Sequence, residues 1–338
     1  MPRMTPDDVR SATARLAGRI HRTPLLPLAD AGPARVGPAL WAKPENLQRT
    51  GSFKLRGAMH ALAAMDPDVR ARGVVTHSSG NHGQALAAAA AAFEVPATVV
   101  IPEGAPDVKV RRTEAWGARV VRCANDDAAR TAVADEAVEA TGGTLIPPFD
   151  HPWIVAGQGT AAWEVADDLP DVANLLVCVG GGGLSAGSVL ALQERAPHAR
   201  VIGVEPTLAA DGLASLRAGE RITWPAADVT RTVADGVRTQ ALGAVPFEIL
   251  REGLHGIVTV DEEAILDAAA WWLQVGGQVV EPTGALTLAA WWRLVAAGGA
   301  VDGVTLRDGP TVLVISGGNA APERLASLAT RPLPGARP

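Results

Sequence analysis

"NLLVCVGGGGLSAGSVLALQERA", residues 174–196, sets an apolar run against four consecutive glycines and then a helix-forming stretch. A short continuous apolar run of this kind reads as a strand buried on both faces. The glycines that follow it, Gly180, Gly181, Gly182 and Gly183, leave backbone N–H groups free to converge on an anion at a helix start. One or two glycines would suit a tight turn; four in succession exceed that need and point to phosphate binding. Gly181, Gly183 and Ala186 also satisfy G-x-G-x-x-A, and Glu205 ends the next apolar run, so a dinucleotide-binding domain competes at this point.

The same strand–loop–helix grammar recurs on both sides. "GVVTHSSGNHGQALAAAAAAF" (73–93), "PATVVIPEGAP" (96–106) and "ARVVRC" (118–123) form one set, with helical stretches at 107–116 and 126–140. "RVIGVEP" (200–206) and "TVLVISGGN" (311–319) continue the other. Alternating strands and helices predict an α/β fold of two parallel-sheet domains covered on both faces. "PPFDHPW" (147–153) reads as the crossing between them. The expected division is a discontinuous large domain, 1–72 and 151–338, and a small domain, 73–150. "TPDDVRSATARLAGRI" opens the chain with a helix capped by Thr5, and "RPLPGARP" closes it as an expected disordered tail.

Composition narrows the class. The 338 residues carry a net charge of −6 with both signs interspersed, so no basic block invites nucleic acid. Cys123 and Cys178 lie far apart, match no metal or redox spacing, and read as small core residues of a reducing compartment. No apolar run is long enough to span a bilayer and no signal peptide opens the chain, so a cytoplasmic protein is expected.

"ENLQRTGSFKLRGA" (45–58) presents Lys54 behind Phe53 in a loop of turn-formers. An amine that forms an imine with pyridoxal phosphate needs a phosphate cradle, a wall for the ring and a partner for the ring nitrogen. The glycine loop offers the cradle, Phe53 the wall, and Ser316, at a strand's carboxyl end, the hydroxyl. "SSGNHG" (78–83) adds hydroxyls and N–H groups at a helix start, suited to a substrate carboxylate.

In order, "KPENLQRTGSFKLRGA", "SSGNHGQALA", "VAGQGTAAWEV", "VGGGGLSAG", "TVADGVRT", "VEPTGAL" and "ISGGN" cover residues 43–319. The chain resembles, from about residue 5 to 328, the fold type II pyridoxal-phosphate enzymes of the threonine dehydratase and serine racemase group, whose fold is tryptophan synthase β-like. The resemblance implies Lys54 as the Schiff-base lysine, Phe53 against the ring, Asn81 at the ring's 3-hydroxyl, Gly180–Gly183 at the phosphate and Ser316 at the pyridine nitrogen. It places Ser78, Ser79 and His82 at the substrate carboxylate, with Ser79 as the racemase acid/base opposite the lysine. It also implies a divalent cation, magnesium or calcium, on Glu205, the Ala209 carbonyl and Asp211 of "VEPTLAAD", which removes Glu205 from a ribose role.

Plainer readings stand beside these. Ser79, Asn81 and His82 can simply cap a helix, Glu205 and Asp211 can be solvated loop acids, and Glu281 a helix-start charge. The pairs Trp271–Trp272 and Trp291–Trp292 read as core or subunit interface. The expected activity is an L-threonine/L-serine ammonia-lyase giving a 2-oxo acid and ammonia, without an appended regulatory domain after residue 330. A serine racemase is the alternative, since Ser79 is present, although Phe149 stands where animal racemases carry a polar residue. A lyase for 3-hydroxyaspartate or another β-hydroxy amino acid, and more remotely a nucleotide-binding regulator, complete the set. The expected partner is a small hydroxy amino acid, and the expected assembly a homodimer or higher homo-oligomer.

Overall fold

The computed structural model describes residues 3–28, 39–78, 80–105 and 107–333. Two parallel sheets dominate. The larger runs, in spatial order, Leu26–Pro27, Leu40–Pro44, Thr311–Ile315, Asn174–Cys178, Arg200–Pro206 and Gly256–Val260. Only its edge pair, Leu26–Pro27 with Leu40–Pro44, is antiparallel. The smaller runs Arg119–Cys123, Ala97–Pro102, Val74–His77 and Thr144–Leu145, all parallel. The central strands of the larger sheet are buried along their whole length, as their unbroken apolar sequences require.

The strand–helix alternation expected from sequence is present, with helices at Asp107–Glu114, Asp127–Thr141 and Gly183–Arg195. The edge strands Gly256–Val260 and Thr144–Leu145 carried no distinct signal, the first being five residues and the second two. The first helix, Pro6–Leu16, is capped as expected, Thr5 N donating to Asp8 Oδ2 at 2.8 Å. The tail begins in order: Arg331 donates to Asp267 (2.6 Å) and Glu263 (2.5 Å), and its last five positions lie outside the described residues. No helix among the described residues is long and apolar enough to cross a membrane.

Each sheet has its own core. The larger holds Trp271, Trp272, Trp291 and Trp292, with Trp271 edge-on to Trp272 at 5.2 Å and to Trp292 at 6.4 Å. The helix Lys54–Ala64 packs Leu55, Ala58, Met59 and Leu62 into the core of the smaller sheet, beside Leu86 and Val99. A boundary at residue 73 therefore cuts the chain after a helix whose apolar face belongs with the smaller sheet. Lys54 stands at that helix's first residue, where the two cores meet.

Candidate active site

A cavity of about 1110 Å³ opens between the sheets, at the carboxyl ends of their strands. Ligands of open α/β sheets collect at such ends, because the loops and helix N-termini converge there. Phe53, Lys54, Ser78, Asn81, the four glycines and Ser316 all line it. The sequence motifs, far apart in the chain, are brought to one place.

Among the described residues the lysine has no carboxylate partner. Its Nζ donates to the Pro148 carbonyl at 2.9 Å and lies 5.1 Å from the Phe53 ring centroid. Burial pulls its pKa down to about 8, partly opposed by Cys178 and Glu281. An amine so placed is partly neutral near physiological pH, as a nucleophile and base must be. The Lys54 loop is tied to the strand end that carries Ser316, Phe53 N donating to the Ser316 carbonyl at 3.1 Å.

The glycine loop follows strand Asn174–Cys178 and leads into helix Gly183–Arg195. Gly182 has φ +88°, which a side chain resists. At Gly181 a Cβ would sit 2.2 Å from the Phe149 ring, so that ring and the loop backbone are in direct contact. Ser316 is 1% exposed, and its hydroxyl has no partner among the described residues beyond the Cys178 thiol beside it. Burial pushes that thiol up to about 11, so it is a neutral neighbour. Cys178, read from sequence as a core residue, is buried and also lines the cavity.

The "SSGNHG" loop starts helix Asn81–Ala92. Ser79 lies outside the described residues, so its role as acid/base is not placed. The Ser78 hydroxyl accepts from Gly80 N at 3.4 Å. His82 is 2% exposed; its Nε2–H donates to the Ile146 carbonyl at 3.0 Å, and Nδ1 has no partner among the described residues. Burial, with Lys54 nearby, drives its pKa down to about 3. The neutral imidazole brings no positive charge to the cavity, unlike a charged histidine at the same place. Asn81 donates Nδ2–H to Glu281 Oε1 at 2.7 Å. Glu281 is no solvated helix-start charge: it is 5% exposed, and burial with Asp235 raises its pKa to about 7.

Two features outside the cavity bear on the site. Glu205 (0% exposed) and Asp211 (1%) are buried acids, not solvated ones. Glu205 accepts from Gly212 N and Leu213 N, each at 2.9 Å, while Asp211 Oδ2 has no partner among the described residues. Burial raises both carboxyls, Asp211 to about 7 and Glu205 well above the usual carboxylate range, with Asp211 adding to the latter. Two buried acids are hard-oxygen donors of the kind a magnesium or calcium ion takes, Ala209 is buried two residues before Asp211, and the orphaned Asp211 oxygen is what such an ion would satisfy. Among the described residues no third His, Cys, Asp or Glu joins them.

The second feature was not read from the sequence as a unit. Behind Lys54, Arg56 donates to Glu45 (2.7 and 2.8 Å) and to Glu164 (2.7 and 2.8 Å). Lys43 adds a 2.6 Å bond to Glu164 and Thr23 a 2.6 Å bond to Glu45. The Lys43, Glu45 and Arg56 side chains are fully buried, and Glu164 nearly so. Two cations balance two anions. The sequence signal available was a lysine inside the strand "LWAKP" and a glutamate inside the apolar helix Pro152–Asp168.

Comparison with known proteins agrees with this geometry. A family described as pyridoxal-phosphate dependent enzyme matches residues 16–319. The serine racemase of Schizosaccharomyces pombe is 39% identical over 322 residues, 95% of this chain and 96% of that one. An L-threo-3-hydroxyaspartate ammonia-lyase of Pseudomonas sp is 40% identical over 321 residues, 95% and 97% of the two chains. The solved structure of the T.th. threonine deaminase superposes with a TM-score of 0.83 at 41% identity, covering 95% of this chain and 99% of the other. The chain belongs to the pyridoxal-phosphate-dependent enzymes and shares their fold type II architecture.

Proposed function

We propose that the protein is an ammonia-lyase for small β-hydroxy amino acids, with L-threonine and L-serine as its substrates, releasing a 2-oxo acid and ammonia. Pyridoxal phosphate, when bound, supplies an electrophilic carbonyl carbon and a ring that withdraws electrons from the substrate's Cα. The glycine loop offers N–H groups to its phosphate, and the phosphate's neighbourhood is where the leaving hydroxyl can gain a proton. Lys54 Nζ takes the Cα proton, and its depressed pKa suits it to that exchange. The N–H groups opening helix Asn81–Ala92 hold the substrate carboxylate.

The observation that carries elimination is the neutrality around Ser316. Its hydroxyl is buried beside a thiol kept protonated, so the polar group nearest to it carries no charge with which to hold a ring nitrogen protonated. A neutral hydroxyl at that position would draw less charge from the substrate's Cα into a bound ring, which would favour loss of the β-hydroxyl over slower reactions at Cα. Racemisation is the second reading, favoured by the identity to a serine racemase over nearly the whole chain. The test is a panel of L-threonine, L-serine and L-threo-3-hydroxyaspartate, assayed separately for 2-oxo acid and for D-serine. Faster D-serine formation than 2-oxo acid release from L-threonine would overturn the lyase reading. Ser79→Ala is expected to suppress any L/D interconversion and to spare elimination from L-threonine.

A further inference from the structure

We propose that Glu281 is a positioning residue: through a chain of hydrogen bonds running Thr50–Asn319–Asn81–Glu281, it dictates which end of the Asn81 carboxamide faces the bound cofactor. The two ends of an amide have nearly the same shape, so its orientation follows from what its neighbours can donate or accept. Here the neighbours have fixed roles. The Thr50 carbonyl can only accept, and Asn319 Nδ2 donates to it at 2.9 Å. The Arg112 guanidinium can only donate, and its Nη1 reaches Asn319 Oδ1 at 3.3 Å. Turning Asn319 over would set oxygen against oxygen and N–H against N–H.

With Asn319 fixed, its second N–H goes to Asn81 Oδ1 at 2.8 Å. That places Asn81 Nδ2 on the other side, donating to Glu281 Oε1 at 2.7 Å. An ionised carboxylate, the form Glu281 takes above its raised pKa of about 7, accepts and cannot donate, so in that form Glu281 holds the nitrogen end where it is. The amide nitrogen has two hydrogens, and Asn81 lines the cavity together with Lys54 and Ser316. The remaining hydrogen is available to an oxygen of the cofactor ring. A reversed amide would turn its oxygen both to the carboxylate and to that ring oxygen.

The surrounding sequence makes room for the chain. A Cβ at Gly51 would come 2.6 Å from Asn319 Oδ1, and one at Gly317 would come 2.7 Å from Glu281 Oε1. Asn81 and Arg112 come from helices that cover the smaller sheet, whereas Asn319 and Glu281 come from loops of the larger. The orientation is therefore assembled only where the two sheets' loops meet, over the cavity.

The inference rests on the cofactor and on Asn81 facing its ring, and not on which hydroxy amino acid is consumed. The experiment is a binding cycle: the Kd for pyridoxal phosphate, from the change in absorbance on titrating apoprotein, for the natural chain, Asn81→Ala, Glu281→Leu and the double variant. Each single change is expected to weaken binding by roughly tenfold, the scale of one hydrogen bond to a charged group. The double variant should be no weaker than either single one, because Glu281 acts through Asn81. Glu281→Gln, whose amide can still accept, should recover most of the loss. Additive effects, or an unchanged Kd in Glu281→Leu, would overturn the chain. An unchanged Kd in Asn81→Ala would instead overturn the role of Asn81 on which it rests. Should Glu281→Leu lose its native circular dichroism, Asn319→Leu replaces it at the other end of the chain, with the same non-additivity expected.

Discussion

Asp211→Asn tests the cation site in a way that burial makes quantitative. Asp211 opens helix Asp211–Ala218 at 1% exposure, and without a cation its carboxyl is pushed up to about 7, chiefly by desolvation. The rise from an ordinary aspartate is about 3 units, so ionising it in the folded, cation-free chain costs about 4 kcal/mol. A folded-state value above the unfolded one means that the acid favours folding at low pH. That stability is present below the unfolded value and is lost as pH rises through about 7. Glu205 is raised too, by burial and then by Asp211, and adds to the loss in the same direction. A bound divalent ion cancels the penalty by supplying the missing opposite charge. About 1.7 kcal/mol of that stability is already lost by about pH 5, so chelated protein should melt lower at about pH 8 than at about pH 5 by roughly 5 °C at about 2 °C per kcal/mol. Magnesium should close the gap at the higher pH. In Asp211→Asn, Glu205 stays buried with its two backbone donors, so that variant should lose Asp211's share of the pH slope, keep that of Glu205, and lose the magnesium response. The reasoning fails if the chelated natural chain melts alike at both pH values relative to Asp211→Asn, or if the variant still gains from magnesium.

Lys54→Ala should lower turnover roughly a thousandfold or more, since one amine serves as nucleophile and base, and borohydride should fix the cofactor to Lys54 alone in the natural chain. A labelled peptide containing another lysine would be the contrary result. Gly181→Ala should weaken pyridoxal phosphate binding by at least ~10-fold because its Cβ meets the Phe149 ring at 2.2 Å, and Phe149→Ala should restore part of the affinity by vacating that space. Arg56→Met should cost about 3–5 kcal/mol in urea unfolding, because it strands Glu45 and Glu164 without their shared cation.

The elements that position the site were legible because their signals are local. Runs such as "LLVCV" and "TVLVI", short and closed by glycine, read as strands buried on both faces with loops after them, and the structure brings the glycine loop and Ser316 to one cavity. What stayed hidden depends on convergence. Nothing in "GSFKLRGAM" tells which sheet receives Leu55 and Met59, because an apolar helix face fits either core. His82 sits in a loop full of donors, yet its buried ring spends Nε2–H on the Ile146 carbonyl and stays neutral. Glu281 reads as a helix-start charge until Asn81, 200 residues away in sequence, arrives against it.

The four buried charges behind Lys54 show what such convergence does for the site. A well-packed apolar filling would stabilise the fold at least as well as a buried ion network, so stability alone does not account for them. Apolar contacts are non-directional, whereas the fork of Arg56 fixes angles as well as distances. It binds helix Lys54–Ala64 to Glu45, which directly follows strand Leu40–Pro44, and to Glu164 on helix Pro152–Asp168. That strand pairs Lys43 and Pro44 with Val314 and Ile315, the residues just before Ser316. The helix Pro152–Asp168 follows the loop whose Pro148 carbonyl receives Lys54 Nζ. The network thus ties together three of the elements that set the amine against the groups facing it. Its rigidity matters there because a displacement of about 1 Å at a reacting atom is enough to cost ~100-fold in rate.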